Sequence, residues 1–400
     1  MDGAHHPISV ALLNIGASMR THFVELTVAL LGGVAAYLLA MYFMQPVRMK
    51  LMERGVYGID INKTTEERRR RIAGRRLGEM DDAEKRLIVP ESLGILAGAV
   101  YLCVVVVQML VVFGPLARQV DGAVTTITVM LLLGFVDDVL DLRWRHKLLL
   151  SAIGSLPLVL TYDGSVSVAV PRPLVPYLHT SLVYLGCLYL VYLSMLCIFC
   201  TNSINILAGV NGIEVGQSII IALACILYNI LQLRLEKEPH RSGDSSGGSL
   251  HQLMAIGLLT PFVGVSMALW RYNRYPARIF VGDSYTYFAG TVLSVAGVTG
   301  LYSKTLMLFF FPQIINFVIS LPQLFHIVPC PRHRVPRWDA KRDILQNSRN
   351  YTLLNAILWL RGDMHERHLT KAVLKVQVGF CVLAFLARFL LASYLYDHVN

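Results

Sequence analysis

Ten long apolar runs decide what this chain can fold into. They fall at about residues 23–44, 91–114, 121–136, 148–163, 181–199, 213–233, 250–270, 285–301, 304–323 and 371–395. An α-helix needs roughly 17 to 25 such residues to cross the hydrocarbon of a bilayer, where every backbone amide must be satisfied within its own segment. The expectation is an all-α polytopic membrane protein of about ten transmembrane helices, a single integral domain over residues 1–400. The balance of 55% hydrophobic to 16% charged residues, with a mean hydropathy of +0.54, excludes an ordinary soluble enzyme. The first run is too long for a signal peptide and lacks a small-residue cleavage site, so it reads as a retained span. The stretch "RSGDSSGGS" at 241–249 reads as a solvated linker.

Charge then orients the chain. Alternating sides from the first span, Lys and Arg number 12 in residues 46–90, 3 in 137–147, 3 in 271–283 and 9 in 324–371, or 27 on one face against 8 on the other. Positively charged loops stay cytosolic, which puts these four segments in the cytosol and both termini on the opposite side. The net charge of +10 is then mostly a topology signal, and it implies no nucleic-acid partner. The run "EERRRR" at 66–71 reads the same way, with lipid headgroups as the alternative contact. The sequons at Asn62 and Asn350 both fall on the cytosolic side and are expected to stay bare.

Seven cysteines, an odd number lying mostly inside apolar runs, imply no disulfide framework. Cys197 and Cys200 form a C-x-x-C without a second pair and read as small packing residues. The twelve histidines show no zinc-ligand spacing.

The informative polar residues interrupt the cytosolic membrane edge. In "GFVDDVLDLRWRHK", Asp137, Asp138 and Asp141 end the third run, followed by Arg143, Arg145 and Lys147. If the helix continues, Asp137 and Asp141 share a face while Asp138 points elsewhere. Carboxylates so placed suit magnesium, which binds through one or two of them plus substrate phosphates; a helix end neutralising its own basic neighbours is the alternative. On the same edge lie Asn202, Asn205 and Asn211 in "NSINILAGVNG", Asp283 in "RIFVGDSYTYFAG", and Arg332, His333 and Arg334 in "CPRHRVPR". An unpartnered amide in hydrocarbon is costly, so the asparagines must hold something polar, cap a helix or bond across helices. Carboxylates, amides and cations offered together to one compartment are what a diphosphate and its metal require.

The strings "GFVDDVLDLRWRHKLLL", "FCTNSINILAGVNGIEVGQS", "RIFVGDSYTYFAG" and "LPQLFHIVPCPRHRVPR", with the shorter "GIDINK" and "VPESLG", closely resemble the polyprenyl-phosphate N-acetylhexosamine-1-phosphate transferase family, in its eukaryotic, dolichyl-phosphate branch. The likeness runs from the first span to the last. It implies ten transmembrane helices in the endoplasmic reticulum membrane and a cytosolic active site. The implied reaction takes GlcNAc-1-phosphate from UDP-GlcNAc to dolichyl phosphate with Mg2+, the first step of lipid-linked oligosaccharide synthesis for N-glycosylation. Matched position by position, it implies metal ligands at Asn205 and Asp283, and a paired acidic site at Asp137 and Asp138. It further implies nucleotide-sugar contacts at Ile59, Asp60, Ile61, Glu91, Asn211 and the Arg332, His333, Arg334 triplet. Lys147 and residues 198–206, Asn202 among them, would lie near the lipid phosphate. Three features depart from the branch: Asp141 stands where eukaryotic relatives carry Asn, residues 64–86 look like an insertion, and within the cytosolic substrate-binding loop 324–370 the part after "CPRHR" is shorter than in some relatives. Both length changes read as peripheral.

The chemistry follows from charge. A phosphate monoester is largely dianionic at neutral pH, so its attack on a diphosphate needs charge relief more than a strong base. Sequence leaves direct displacement and a covalent aspartyl intermediate both open, and oligomeric state too, a homodimer included. A bacterial-type transferase is the nearest alternative, but such enzymes carry a histidine-rich last loop where this chain has "PRHR". An intramembrane prenyltransferase would need a second D-D-x-x-D, and a transporter would need ionisable residues at mid-membrane rather than at one edge.

Overall fold

The computed structural model describes residues 22–72, 75, 77–113, 118–235, 247–331 and 334–395. In chain order the elements are α1 (Phe23–Glu53), β1 (Tyr57–Ile59), α2 (Glu66–Ile72), α3 (Asp82–Lys85), β2 (Ile88–Pro90), α4 (Gly94–Phe113), α5 (Arg118–Leu140) and α6 (Trp144–Leu160). They continue with β3 (Ser167–Ala169), α7 (Val175–Leu178), β4 (Leu182–Tyr184), α8 (Cys187–Ile206), α9 (Ile213–Leu235), α10 (Gly247–Asn273) and α11 (Gly282–Thr299). The last are α12 (Ser303–Phe309), α13 (Phe311–Leu324), β5 (Arg337–Asp339), β6 (Ile344–Gln346), α14 (Leu353–Arg361), α15 (Glu366–Leu386) and α16 (Ala392–Leu395). The strands make three two-stranded antiparallel hairpins, β1–β2, β3–β4 and β5–β6. The protein is thus an all-α polytopic membrane protein with small extramembrane hairpins.

Among the described residues, seven helices are long and apolar enough to cross a membrane, or eight if the bent pair α12–α13 is one span. That pair bends by 68° where a single ninth span was expected. Pro312 sits in the first turn of α13, where its missing N–H and fixed φ start a new helix rather than continue the old one. The other two expected spans are also helices: α6, at 17 residues, and α11, at 18. Of the Ser/Gly-rich stretch only 247–249 are described, and they open α10.

Helix α11 explains the bundle. It is buried continuously from Ser284 to Thr299 and packs on α5, α8, α10 and α4. Its small hydroxyl residues satisfy themselves on their own helix: Thr291 Oγ1 donates to Tyr287 O at 2.7 Å and Thr299 Oγ1 to Val295 O at 2.9 Å. Such residues let backbones approach closely without leaving polar groups orphaned in the apolar interior. On α8, Cys197 and Cys200 are fully buried. Large apolar side chains such as Leu38 and Tyr42 of α1 and Leu110 of α4 instead face outward, as a lipid-facing shell does.

Because the long helices alternate in direction, the C-terminal ends of α1, α5, α8 and α10 gather at one end of the bundle with the N-terminal ends of α4, α9, α11 and α15. The hairpin β1–β2 sits at that end and β3–β4 at the other.

Candidate active site

At the gathered end the loops enclose a cavity of about 610 Å³. It is lined by Ile59, Asp60, Ile61, Glu91, Asn205, Asn211 and Asp283, among others. Seven sequence-expected residues from five chain segments therefore share one cavity.

One wall is made of helix ends. Helix α5 stops at Leu140, and Asp141 turns out of it with a left-handed φ of 48°, so Asp137 and Asp141 do not share a helical face as expected. Asp137 instead caps this end: its Oδ1 accepts from Leu142 N at 3.0 Å, and its Oδ2 lies 2.6 Å from Lys147 Nζ. Lys147 also reaches Asp283 Oδ2 at 3.6 Å. Asp138 accepts from the backbone amides of Asp283 at 2.5 Å and Ser284 at 3.1 Å. Those amides begin α11, whose own N-cap residue, Val281, has no capping side chain. Asp138 therefore caps α11 from a neighbouring helix, a charge-assisted contact that also suits the positive end of the helix dipole.

Two glycines permit this. Gly282 has φ +73°, and a Cβ there would collide with the Asp138 carboxylate. A Cβ on Gly134 would come within 2.7 Å of Asp283 O. With α11 so placed, Asp283 faces Asn205, whose Nδ2 donates to Asp283 Oδ1 at 2.5 Å and to Thr286 Oγ1 at 3.3 Å. Asn202 does not join them on the cavity wall, since its amide donates to Ile198 O of its own helix at 2.8 Å. Among the described residues no three His, Cys, Asp or Glu side chains converge as a metal cluster.

The other wall is made of loops tied side chain to backbone. Buried Asp60 accepts from Asn62 N at 3.0 Å and Asn211 Nδ2 at 3.2 Å, and pairs with Lys63 at 2.9 Å. Glu366, at the start of α15, accepts from Asn211 N at 2.8 Å and from Asn62 Nδ2 at 3.3 Å. Thr370 Oγ1 donates to Asn211 O at 3.1 Å. Three segments distant in sequence are thereby fixed to one another. Glu91 is held above its ordinary pKa chiefly by burial, with the Asp138 charge second.

Of the basic triplet, Arg332 and His333 lie outside the described residues. Arg334 is half-buried; its Nη1 is shut from water without a partner, and burial lowers its pKa. The next residue, Val335, lines the cavity against Gly209, just before β5 begins at Arg337.

Sequence reasoning missed Glu366, Asn62, Phe280 and Arg69. In the sequence Asn62 stands out only as a sequon, yet it is 4% exposed and bonded to Asp60 on one side and Gly209 and Glu366 on the other. Glu366 sits beside the last apolar run, where an acidic residue at a helix start has an ordinary explanation. Arg69 falls in residues 64–86, the stretch expected to be a peripheral insertion. The packing there is intimate: Ile72 and Met80 pack with Ile88 of β2 against Met52, Tyr57 and Ile59.

Residues 121–301, from α5 through α11, match the model of glycosyl transferase family 4. The chain is 50% identical to a UDP-N-acetylglucosamine--dolichyl-phosphate N-acetylglucosaminephosphotransferase of Leishmania amazonensis, covering 97% of this chain and 98% of the relative. It is 45% identical to the enzyme of the same name from Dictyostelium discoideum, over 73% and 75% of the two chains. The Saccharomyces cerevisiae enzyme of that name is 34% identical over 92% of each. By near-complete coverage at such identities, the chain belongs to the UDP-N-acetylglucosamine--dolichyl-phosphate N-acetylglucosaminephosphotransferase family.

Proposed function

We propose that this protein transfers GlcNAc-1-phosphate from UDP-GlcNAc to dolichyl phosphate, giving GlcNAc-diphosphodolichol and UMP. The reaction would take place on the cytosolic face of the endoplasmic reticulum membrane. The observation that carries the reading is the single cavity at the bundle end where Asp283, Asn205, Asn211 and Asp60 meet, open beside a lysine held between two carboxylates. The near-full-length likeness to enzymes of that name supports the substrates.

The donor set fits magnesium. Asp283 offers a carboxylate, and Asn205, whose Nδ2 donates to that carboxylate, carries an amide oxygen as a second hard donor; both line the cavity, and no larger protein cage forms among the described residues. Such a sparse set suits an ion that keeps waters and takes substrate phosphates as ligands. Bound there, magnesium would offset charge on the diphosphate as it is transferred.

The side chains supply the rest. Lys147, steered by Asp137 and Asp283, would present its ammonium to the incoming lipid phosphate and reduce repulsion between two anions. Arg334, with Arg332 and His333, would hold the sugar-nucleotide, and the Ile59, Asp60, Ile61 segment, Glu91 and Asn211 would hold its other parts. Asn202 would lie near the lipid phosphate as part of the α8 end. Asp138 accepts from the two amides that start α11, which supports a positioning role over that of a nucleophile. We read the transfer as a direct displacement: a lipid phosphate oxygen bonds to the β-phosphorus, the bond from that phosphorus to the bridging oxygen breaks, and UMP leaves.

The test uses UDP-GlcNAc labelled at the β-phosphorus with purified protein and dolichyl phosphate. Label should enter the organic phase as a lipid diphosphate sugar, in step with UMP release and only with magnesium present. Release of UDP with label left in water, alongside sugar on the lipid, would overturn the reaction.

A further inference from the structure

We propose that the inserted segment 64–86 supplies a substrate-binding cation, Arg69, for the diphosphate of the nucleotide sugar. This rests on reading the cavity as the donor site.

The run Arg68–Arg71 looks uniform in sequence, but α2 sorts its members. Arg70 and Arg71 each reach back one turn, to Glu66 at 2.5 Å and Glu67 at 3.9 Å, with all four side chains mostly in solvent. That is the usual i,i+4 pairing of an exposed helix face. Arg69 points elsewhere. It is partly buried and lines the cavity that also holds Asp60, Asn211 and Asp283. Its Nε is closed off from water and has no hydrogen-bond partner. A guanidinium N–H left this way is destabilising unless an acceptor arrives from outside the chain.

The charge of the lining points to what that acceptor is. The described lining carries four carboxylates, on Asp60, Glu91, Glu214 and Asp283, and one cation, Arg69. Lys63 stands close by, but it is tied to Asp60 at 2.9 Å and lies over the Tyr275 ring, 4.8 Å from its centroid. An anion entering such a wall gains most from a guanidinium whose donors are not already taken, because its fork matches phosphate oxygens.

The segment that carries Arg69 is built to hold it. Tyr57 Oη donates to Arg75 O at 3.1 Å, and Arg75 pairs with Glu84 at 3.2 Å. Asp81 and Glu84 form a reciprocal capping box at the start of α3. With Ile72 and Met80 buried against the β1–β2 hairpin, α2 is fixed relative to Ile59, Asp60 and Ile61.

The experiment measures binding of uridine, UMP, UDP and UDP-GlcNAc to the full-length wild type, Arg69→Gln, Arg69→Lys and, as a control from the same helix, Arg70→Gln. Arg69→Gln should weaken UDP and UDP-GlcNAc by about tenfold or more, as loss of a charged hydrogen bond does, and leave uridine binding and the ligand-free Tm unchanged. Arg69→Lys should fall between, keeping charge but losing the fork, and also serves if the glutamine variant fails to assemble. In turnover, KM for the nucleotide sugar should rise while KM for the lipid phosphate stays put, and Arg70→Gln should match wild type throughout. Equal UDP affinity in Arg69→Gln and Arg70→Gln, or equal losses for uridine and UDP, would overturn the inference. Wild-type protein that binds no UDP-GlcNAc would instead sink the donor-site reading itself.

Discussion

The two walls of the cavity are built by different physics. On one, Asn205 and Asp283, with Asp137 and Asp138 behind them, sit at the ends of buried helices, and their positions follow from how closely those helices pack. On the other, Asp60, Asn62 and Asn211, tied from behind by Glu366, belong to loops and a helix start that would have no fixed relation without the bonds between them. The first wall is as rigid as the core behind it. The second is as rigid as a handful of buried hydrogen bonds. The comparison predicts that damage to the helix-end wall shows in turnover, and damage to the loop wall in affinity for the nucleotide sugar.

The largest effect is expected from Asp283→Asn, which removes the one carboxylate on the proposed metal contact. Turnover should drop by about 100-fold or more while Tm and membrane insertion hold, measured at saturating magnesium. Near wild-type turnover would break the assignment of this wall as the chemical one.

Gly282→Ala should come next. The added Cβ meets a positive φ and the Asp138 carboxylate at once, so destabilisation of about 1–3 kcal/mol and a clear loss of kcat are expected together. A variant that keeps its Tm and loses only affinity would show that Asp138 does not position α11.

Glu366→Ala tests the loop wall. It strips acceptors from Asn211 N and Asn62 Nδ2, at a cost of about 1–3 kcal/mol for buried groups left unpaired. The expected signature is a several-fold rise in KM for UDP-GlcNAc, with Glu366→Gln milder because it retains an acceptor oxygen. A fall in kcat at unchanged KM would erase the distinction between the walls.

The smallest effect is a pH dependence at their junction. Burial raises the pKa of Glu91 from its ordinary value of 4.5, so the folded state holds that proton to higher pH than the unfolded chain. Its contribution to stability is complete below pH 4.5 and is lost as pH rises through the folded-state pKa. Glu91→Gln should therefore lose less Tm than wild type as pH is raised through that window. Parallel Tm profiles would show Glu91 to be solvated.

Much of the helix-end wall was legible in the sequence because it is local. The pair Asp137 and Asp138, Asp283 and the asparagines of α8 each sit beside an apolar run, and periodicity places run ends to within a few residues. What went unread there was tertiary. Where α5 ends decides that Asp141 leaves the face of Asp137, and Asp138 proves to cap a helix 145 residues away. The loop wall was legible only through resemblance to known motifs. Glu366 and Asn62 gain their roles from a contact spanning 304 residues, and nothing in either neighbourhood announces it.

By itself, then, the sequence determined that the chain spans a membrane as a helical bundle and that its polar chemistry collects at one edge, because hydrocarbon admits few other arrangements of such apolar runs. Only the tertiary structure decided which of those polar residues meet. Solvation sets whether a side chain belongs at the membrane edge, but packing sets its partner: Asp137 goes to Lys147, Asp138 to the amides of α11, Asn202 back to its own helix, and Arg69, alone among its neighbours in the arginine run, into the cavity.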